Sequence, residues 1–273
     1  MAITVTRLNG ALGARVDGID YASGIDAATL ATLRDALARH HVLCVEGAPM
    51  TPAQHLQIAR HFGEPEHHDF YPNLGPGLEH VTVLDSTKGG RADMWHSDEQ
   101  YLAQPPQFTF TRAIELPPHG GDTAFISLCA AFDALSPRLQ QCLDGLQAMH
   151  DYAQIIEFAW QVGLVTAAEV GKALQSDRQT LHPLVTVHPP SGRKTLFVSP
   201  TYTRFIQDLS FVESKHLLAL LFEHVQRPEF QYRHRWQPGD LMIWDNRCTL
   251  HYAVNDYDQR RVMHRISVMP PAA

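Results

Sequence analysis

The sequence contains no apolar run approaching the ~20 residues that a membrane-spanning helix requires, so no membrane partner is expected. Its N-terminus, Met1-Ala2-Ile3-Thr4-Val5-Thr6-Arg7, lacks the basic region and apolar block of a secretory signal. Cysteine is sparse and scattered: Cys44, Cys129, Cys142 and Cys248 form no C-x-x-C pair. That excludes the usual zinc spacings and a disulfide framework, and favours reduced thiols in a cytoplasm. Basic charge is also short. Against 29 Asp and Glu stand 22 Lys and Arg, a net charge of -7, which argues against a nucleic-acid partner. There is no internal repeat, low-complexity tract or linker at which to divide the chain. With 44% hydrophobic residues, residues 1–273 are read as one domain with a sizeable core.

What is present is a series of short strands interrupted by helices. Ile3 to Val16 alternates loosely between glycines, as short strands do. Asp26 to His40 has the apolar spacing of an amphipathic helix through Leu30, Leu33 and Leu37. Thr51-Pro52 is a helix start, with Thr51 as N-cap, and Gly63 a stop. Strands are expected at 42–45, 80–85, 107–116, 230–236, 241–244 and 261–268, and a hairpin around Pro189-Pro190-Ser191-Gly192. Gly89-Gly90 reads as a turn. Helix is expected from Ser127 to Gln147, across a helical excursion over residues 150–180, and from Glu213 to Gln226. Many short strands with helices at the start and inserted between them suggest a mainly β fold, a two-sheet jelly-roll with helical decoration.

Histidine is abundant, and one stretch gives it a use. In Met94-Trp95-His96-Ser97-Asp98 an H-x-D pair on extended backbone would point both side chains to one face. With 17 His and 29 acidic residues, about two H-x-[D/E] matches arise by chance. A second, His67-x-Asp69, is present, so an isolated pair also fits ordinary surface or core histidines. A further imidazole, His251 in Trp244-Asp245-Asn246-Arg247-Cys248-Thr249-Leu250-His251, would complete a facial triad for Fe(II) with positions left open. His55 and His61 read as packing or solvent residues on their helix.

The C-terminal strand offers charge on one face. Alternation places Arg261, Met263, Arg265 and Ser267 together, with the two guanidinium groups about 13 Å apart along the strand. They could clamp two separate anions bidentately, or lie solvated along an exposed edge.

The segments W-H-S-D (95–98), G-G-D-T (120–123), W-D-N-R-C-T-L-H-Y-A (244–253) and Q-R-R-V-M-H-R (259–265), taken in this order, resemble the Fe(II)/2-oxoglutarate-dependent dioxygenases of the taurine dioxygenase and 2,4-dichlorophenoxyacetate dioxygenase (TauD/TfdA) family. The segment H-P-L-V-x-x-H-P-x-S-G-R-K (182–194) matches too, so the likeness covers nearly the whole chain. It implies a double-stranded β-helix, the jelly-roll of the clavaminate synthase-like fold, decorated by N-terminal and inserted helices. It implies His96, Asp98 and His251 as iron ligands and as the catalytic centre. It further implies that Thr123 and Arg261 bind 2-oxoglutarate, and that Arg265, His68, Tyr71 and Tyr202 face the substrate. His67-x-Asp69 is thereby demoted. The implied reaction uses O2 and 2-oxoglutarate to hydroxylate a small anion (a taurine-like sulfonate, alkyl sulfate or carboxylate), with succinate and CO2 as co-products.

The pocket departs from the taurine-specific pattern. Ala92 stands where those enzymes offer an asparagine amide, Tyr202 replaces a phenylalanine, and Glu99 replaces an apolar residue after the aspartate ligand. A carboxylate there could pair with a substrate amine, but an unpaired buried carboxylate is costly, so Glu99 is expected to turn outward into a salt bridge. Two other classes share the residues: a Zn- or Mn-dependent hydrolase or isomerase on a jelly-roll, and a non-catalytic anion-binding protein. Neither gives Arg261 and Thr123 a task. A cytoplasmic homo-oligomer is expected.

Overall fold

In a computed structural model, the structure describes residues 3–20, 24–68, 71–88, 92–161, 166–168, 170–171 and 179–271. The expected Gly89-Gly90 turn, Asp69 of the second H-x-D pair and parts of the 150–180 stretch lie outside these residues.

The first half of the chain runs β1 (Thr4–Arg7), β2 (Ala14–Asp17), α1 (Ala27–His40), β3 (Val42–Val45), α2 (Pro52–Arg60), β4 (Glu64–Pro65), β5 (Thr82–Asp85), β6 (Phe108–Glu115) and β7 (Thr123–Ser127). Then follow α3 (Leu128–Asp133), α4 (Pro137–Leu143), β8 (Gln147–Asp151), α5 (Ala153–Gln161), β9 (Gln179–Pro183), β10 (Val185–Val187), β11 (Lys194–Leu196) and β12 (Thr203–Ile206). The chain closes with α6 (Phe211–Val225), β13 (Gln231–His234), β14 (Leu241–Asp245), β15 (Thr249–Ala253) and β16 (Val262–Met269).

Helix starts follow the local chemistry. The Asp26 carboxylate accepts from Thr29 N–H at the head of α1. Thr51 and Gln54 form a reciprocal capping box before Pro52, and Ser210 with Glu213 forms another before α6. Each such cap is worth about 1 kcal/mol.

Two sheets sandwich the functional region. The larger has eight strands, in the order β1-β2-β3-β14-β6-β16-β4, with β5 also pairing β16; a three-stranded sheet has the order β13-β7-β15. Alternation along the strands sorts the core into layers. Leu43, Phe110, Ile243 and Ile266 pack outward against α1 and α2 residues such as Leu33, Leu37 and Leu56. Ile126 and Leu250 of the smaller sheet pack outward against α3 and α6. Between the sheets lie Cys44, Ala113, Phe125, Met242, Trp244 and Met263. Phe125 meets Trp244 edge-on at 5.4 Å, one side chain from each sheet.

Three stretches correct the sequence reading. Ser127 to Gln147 is not one helix: α3 stops at Asp133, and Ser136-Pro137 starts α4 as N-cap and first residue. Gln147 then opens β8, which pairs with β9 and β12. The excursion around 150–180 thus begins and ends in a sheet, with α5 inside it. The strand expected from Phe230 begins at Gln231, because Pro228 nucleates a short 3-10 turn ending at Phe230. The hairpin is present as β10 against β11. No helix of the described residues is long and apolar enough to cross a membrane.

Candidate metal centre

His251 sits in β15, whose neighbour on one side is β7. On its other side the chain at His96 makes an isolated antiparallel bridge to His251. The two residues exchange backbone hydrogen bonds, His96 N–H to His251 O at 3.1 Å and the reverse at 2.8 Å. Their rings come within 4.1 Å, centroid to centroid. Two residues on, as the H-x-D spacing requires, Asp98 Oδ1 lies 3.7 Å from His96 Nε2 and 3.6 Å from His251 Nε2. All three side chains are buried, and one donor atom from each lies within 4.8 Å of the others.

The protonation pattern suits a cation. His96 Nδ1–H donates to Met94 O at 2.7 Å, which leaves the Nε2 lone pair facing the cluster. Burial pushes the His96 pKa below its usual value, and burial together with His96 takes His251 down to about 3. Both imidazoles are therefore neutral near pH 7. For Asp98, burial opposes ionisation, yet His251, Arg265, His96 and the Thr109 hydroxyl together hold the carboxyl well below its usual range. Two neutral imidazoles and one carboxylate, converging in a buried space, make a donor set that could hold a divalent metal ion.

Among the described residues two other buried groups have donors within the same reach, His41/His188/Cys248 and Cys44/His234/Asp240. In each, one member is already engaged on its ligand atoms. His188 bonds Ser191 through Nδ1 and Asp245 through Nε2. Asp240 accepts from Gly47 N–H, Gln237 N–H and His234.

The remaining sequence-predicted residues form two groups, one on the side of the site around Trp236 and the other around Asp98 and His96. On one, Thr123 is buried at the start of β7, and its hydroxyl oxygen accepts the Trp236 indole N–H at 2.9 Å. Its own proton is thus free for an anion. Arg261 lies over the same indole, 5.9 Å from the ring centroid, and is anchored by Nε to Gly121 O at 3.0 Å. Burial depresses the Arg261 pKa, and among the described residues no carboxylate forms an ion pair with it. On the other side, Arg265 stands over Tyr71 at 5.4 Å and reaches Asp98 Oδ1 at 3.5 Å. Tyr71 packs on His68 at 4.6 Å, and Tyr202 faces His96 at 6.4 Å.

Glu99 corrects an expectation. It turns inward, with only 16% of its side chain exposed, and Oε1 sits 3.7 Å from His68 Nε2 while accepting from the Tyr101 hydroxyl at 3.0 Å. Its backbone takes a left-handed φ of 48°, uncommon outside glycine. Glu66 neighbours the same carboxylate, and burial plus that neighbour raise its pKa to about 9. Glu66 is therefore protonated at neutral pH and can donate to Glu99, so the burial feared from sequence has a compensating partner.

No local pattern singles out Glu66, Thr109 or Trp236, and Asn246 is visible only as part of a longer motif. A groove of about 540 Å³ lined by Thr203, Phe205, Leu209, Phe211, Leu218 and Phe222 contains none of the sequence-predicted residues.

Comparison with known proteins points the same way. Residues 4–267 match the model of the taurine catabolism dioxygenase TauD, TfdA family. The chain is 35% identical over 272 residues to an alkylsulfatase of Acinetobacter baylyi, covering 97% of this chain and 84% of that one. It is 34% identical over 274 residues to an alpha-ketoglutarate-dependent sulfate ester dioxygenase of Pseudomonas putida, covering 98% and 90%. Among solved structures it resembles a taurine dioxygenase from Burkholderia xenovorans with a TM-score of 0.83 at 32% identity, covering 98% and 89% of the two chains. It also resembles AAD-2, solved in complex with Mn(II) and N-oxalylglycine, with a TM-score of 0.81 at 28% identity and 98% of each chain covered.

Proposed function

This chain belongs to the TauD/TfdA family and is a 2-oxoglutarate-dependent dioxygenase, and on that premise we propose that it hydroxylates a small sulfur oxyanion, an alkyl sulfate ester before a sulfonate, at a centre of His96, Asp98 and His251. The observation that carries this is the convergence of the three donors on one buried point. Sulfate esters are preferred because relatives named for alkyl sulfates and sulfate esters are 35% and 34% identical over almost the whole chain. The fold is read as a double-stranded β-helix, a jelly-roll, forming one domain in a cytoplasmic homo-oligomer.

Iron held by the triad, with 2-oxoglutarate and O2, supplies the oxidising power and leaves succinate and CO2. Arg261 is positioned to receive the distal carboxylate of 2-oxoglutarate. Its guanidinium is buried beside Trp236 and forms no ion pair among the described residues, so a carboxylate there gains a charge-assisted bond. Thr123, already an acceptor from Trp236, donates its hydroxyl proton to the same co-substrate. Arg265 and His68 take the substrate anion, with Tyr71 in contact with both and Tyr202 closing the wall near His96. Hydroxylation of the carbon bearing the ester oxygen gives an unstable product that breaks its C–O bond, leaving an aldehyde and hydrogen sulfate.

A Zn- or Mn-dependent hydrolase would use the triad but leave Arg261 and Thr123 idle. The test is succinate release from 2-oxoglutarate in the presence of iron and a panel of alkyl sulfates, sulfonates and carboxylates. Turnover that needs iron, 2-oxoglutarate and O2, and is fastest with an alkyl sulfate, is expected. Ester hydrolysis in the absence of 2-oxoglutarate contradicts the proposal.

A further inference from the structure

Four buried groups form a one-way chain of hydrogen bonds that ends on Asp98. The Trp244 indole N–H donates to Asn246 Oδ1 at 2.9 Å. Asn246 Nδ2–H donates to Thr109 Oγ1 at 2.8 Å. The Thr109 hydroxyl donates to Asp98 Oδ2 at 2.7 Å. An indole N–H can only donate and an ionised carboxylate can only accept, so the two ends fix every proton between them. The indole decides which end of the Asn246 amide faces it. That amide then fills the acceptor side of Thr109 and leaves its hydroxyl proton for Asp98.

The chain is buried and braced. Trp244 is 3% exposed, Asn246 2%, Thr109 0% and Asp98 4%. Ser97 Oγ–H bonds the Asn246 carbonyl at 2.7 Å, and the Asp98 backbone N–H lies 3.5 Å from Asn246 Oδ1. Sheet register brings the parts together, because Thr109 of β6 is paired with Trp244 of β14. In buried surroundings a directed relay of this kind holds its end group firmly.

The two oxygens of Asp98 are consequently not equivalent. Oδ2 is held by Thr109 at 2.7 Å, whereas Oδ1 faces both imidazoles at 3.6 and 3.7 Å, with Arg265 Nη1 at a looser 3.5 Å. We propose that Thr109 is a positioning residue that restricts Asp98 to one metal-binding oxygen, keeping open the coordination positions that 2-oxoglutarate and O2 need. This rests on the metal-centre reading given under Proposed function. A carboxylate free to rotate would offer both oxygens to the cation and take up one of those positions. Trp244 and Asn246 act through Thr109, as the anchor and the latch of its hydroxyl.

The experiment is an anaerobic Co(II) titration of the metal-free protein against a chromogenic chelator, with the visible spectrum of the Co(II) form reporting coordination number. Thr109→Val keeps the shape and removes the hydroxyl, and Thr109→Ser restores it. Thr109→Val is expected to lose roughly 10–100-fold in Co(II) affinity and to shift the spectrum, while Thr109→Ser recovers both. Trp244→Phe, cutting the relay at its far end, is expected to produce a smaller change in the same direction. A folded Thr109→Val protein with wild-type affinity and spectrum overturns the proposal. So does a Thr109→Ser protein as impaired as Thr109→Val, since packing alone would then be responsible. Should Thr109→Val not fold, an unchanged Trp244→Phe protein overturns it instead. The titration needs no turnover: a wild type that binds cobalt yet yields no succinate contradicts the function reading and leaves the relay intact.

Discussion

His96 and His251 are held side by side by two backbone hydrogen bonds, so the main chain, together with the bond from His96 Nδ1–H to Met94 O, sets the two imidazoles of the candidate metal centre. A substitution at either position should therefore remove a ligand without undoing the bridge. His251→Ala is expected to abolish iron-dependent succinate release while circular dichroism stays that of wild type. Retained turnover in that variant would remove His251 from the centre.

The two arginines should separate kinetically. Arg261→Ala is expected to raise the KM for 2-oxoglutarate by roughly 10–100-fold, the worth of one or two charge-assisted hydrogen bonds, with the substrate KM little changed. Arg265→Ala is expected to do the opposite. Steady-state kinetics with each reactant varied in turn decides this, and the reverse pattern would mean that the two anion sites are exchanged.

Gly121 gives an independent probe of the first of these sites. Its φ is +71°, and a Cβ there would meet the Arg261 side chain 3.1 Å from Cδ. Gly121→Ala is expected to displace Arg261 and raise the 2-oxoglutarate KM. It should also cost about 1–2 kcal/mol through the left-handed backbone. Thermal denaturation and the same kinetics measure both effects.

Glu66 predicts a pH effect on stability. Its pKa in the folded protein is raised to about 9, from an ordinary 4.5, by burial first and then by Glu99. Between those values the folded state holds a proton that the unfolded state has lost, so this contribution to stability is fully present below about pH 4.5 and declines as pH rises toward 9. Glu66→Gln, which carries a permanent donor, should remove that decline. The Tm of the variant is expected to exceed that of wild type at pH 8–9 by a margin that disappears near pH 5. Parallel Tm-against-pH curves for the two proteins would rule out a protonated Glu66.

The grouping of His96, Asp98 and His251 was legible because two of them share a two-residue spacing and the third lies in a long, unusual motif. The helices with strong caps, α1, α2 and α6, were equally readable. Glu99 was not, because what turns it inward comes from elsewhere: Glu66 beyond β4, His68 from the following loop, and Tyr101 two residues on. Thr109 was invisible for a related reason. A threonine in an apolar strand looks like any β-branched residue until the β6–β14 register sets it beside Asn246. The strands β8 (QAMHD) and β9 (QTLHP) lack apolar alternation, so only their pairing with each other reveals them.

Anomalous diffraction from crystals soaked with Mn(II) and 2-oxoglutarate tests the central claim most directly. A single ion is expected, bound by Nε2 of His96, Nε2 of His251 and Oδ1 of Asp98, with Oδ2 still hydrogen-bonded to Thr109. An ion seated at Cys44, His234 and Asp240, or one held by His96 and Asp98 without His251, would contradict it.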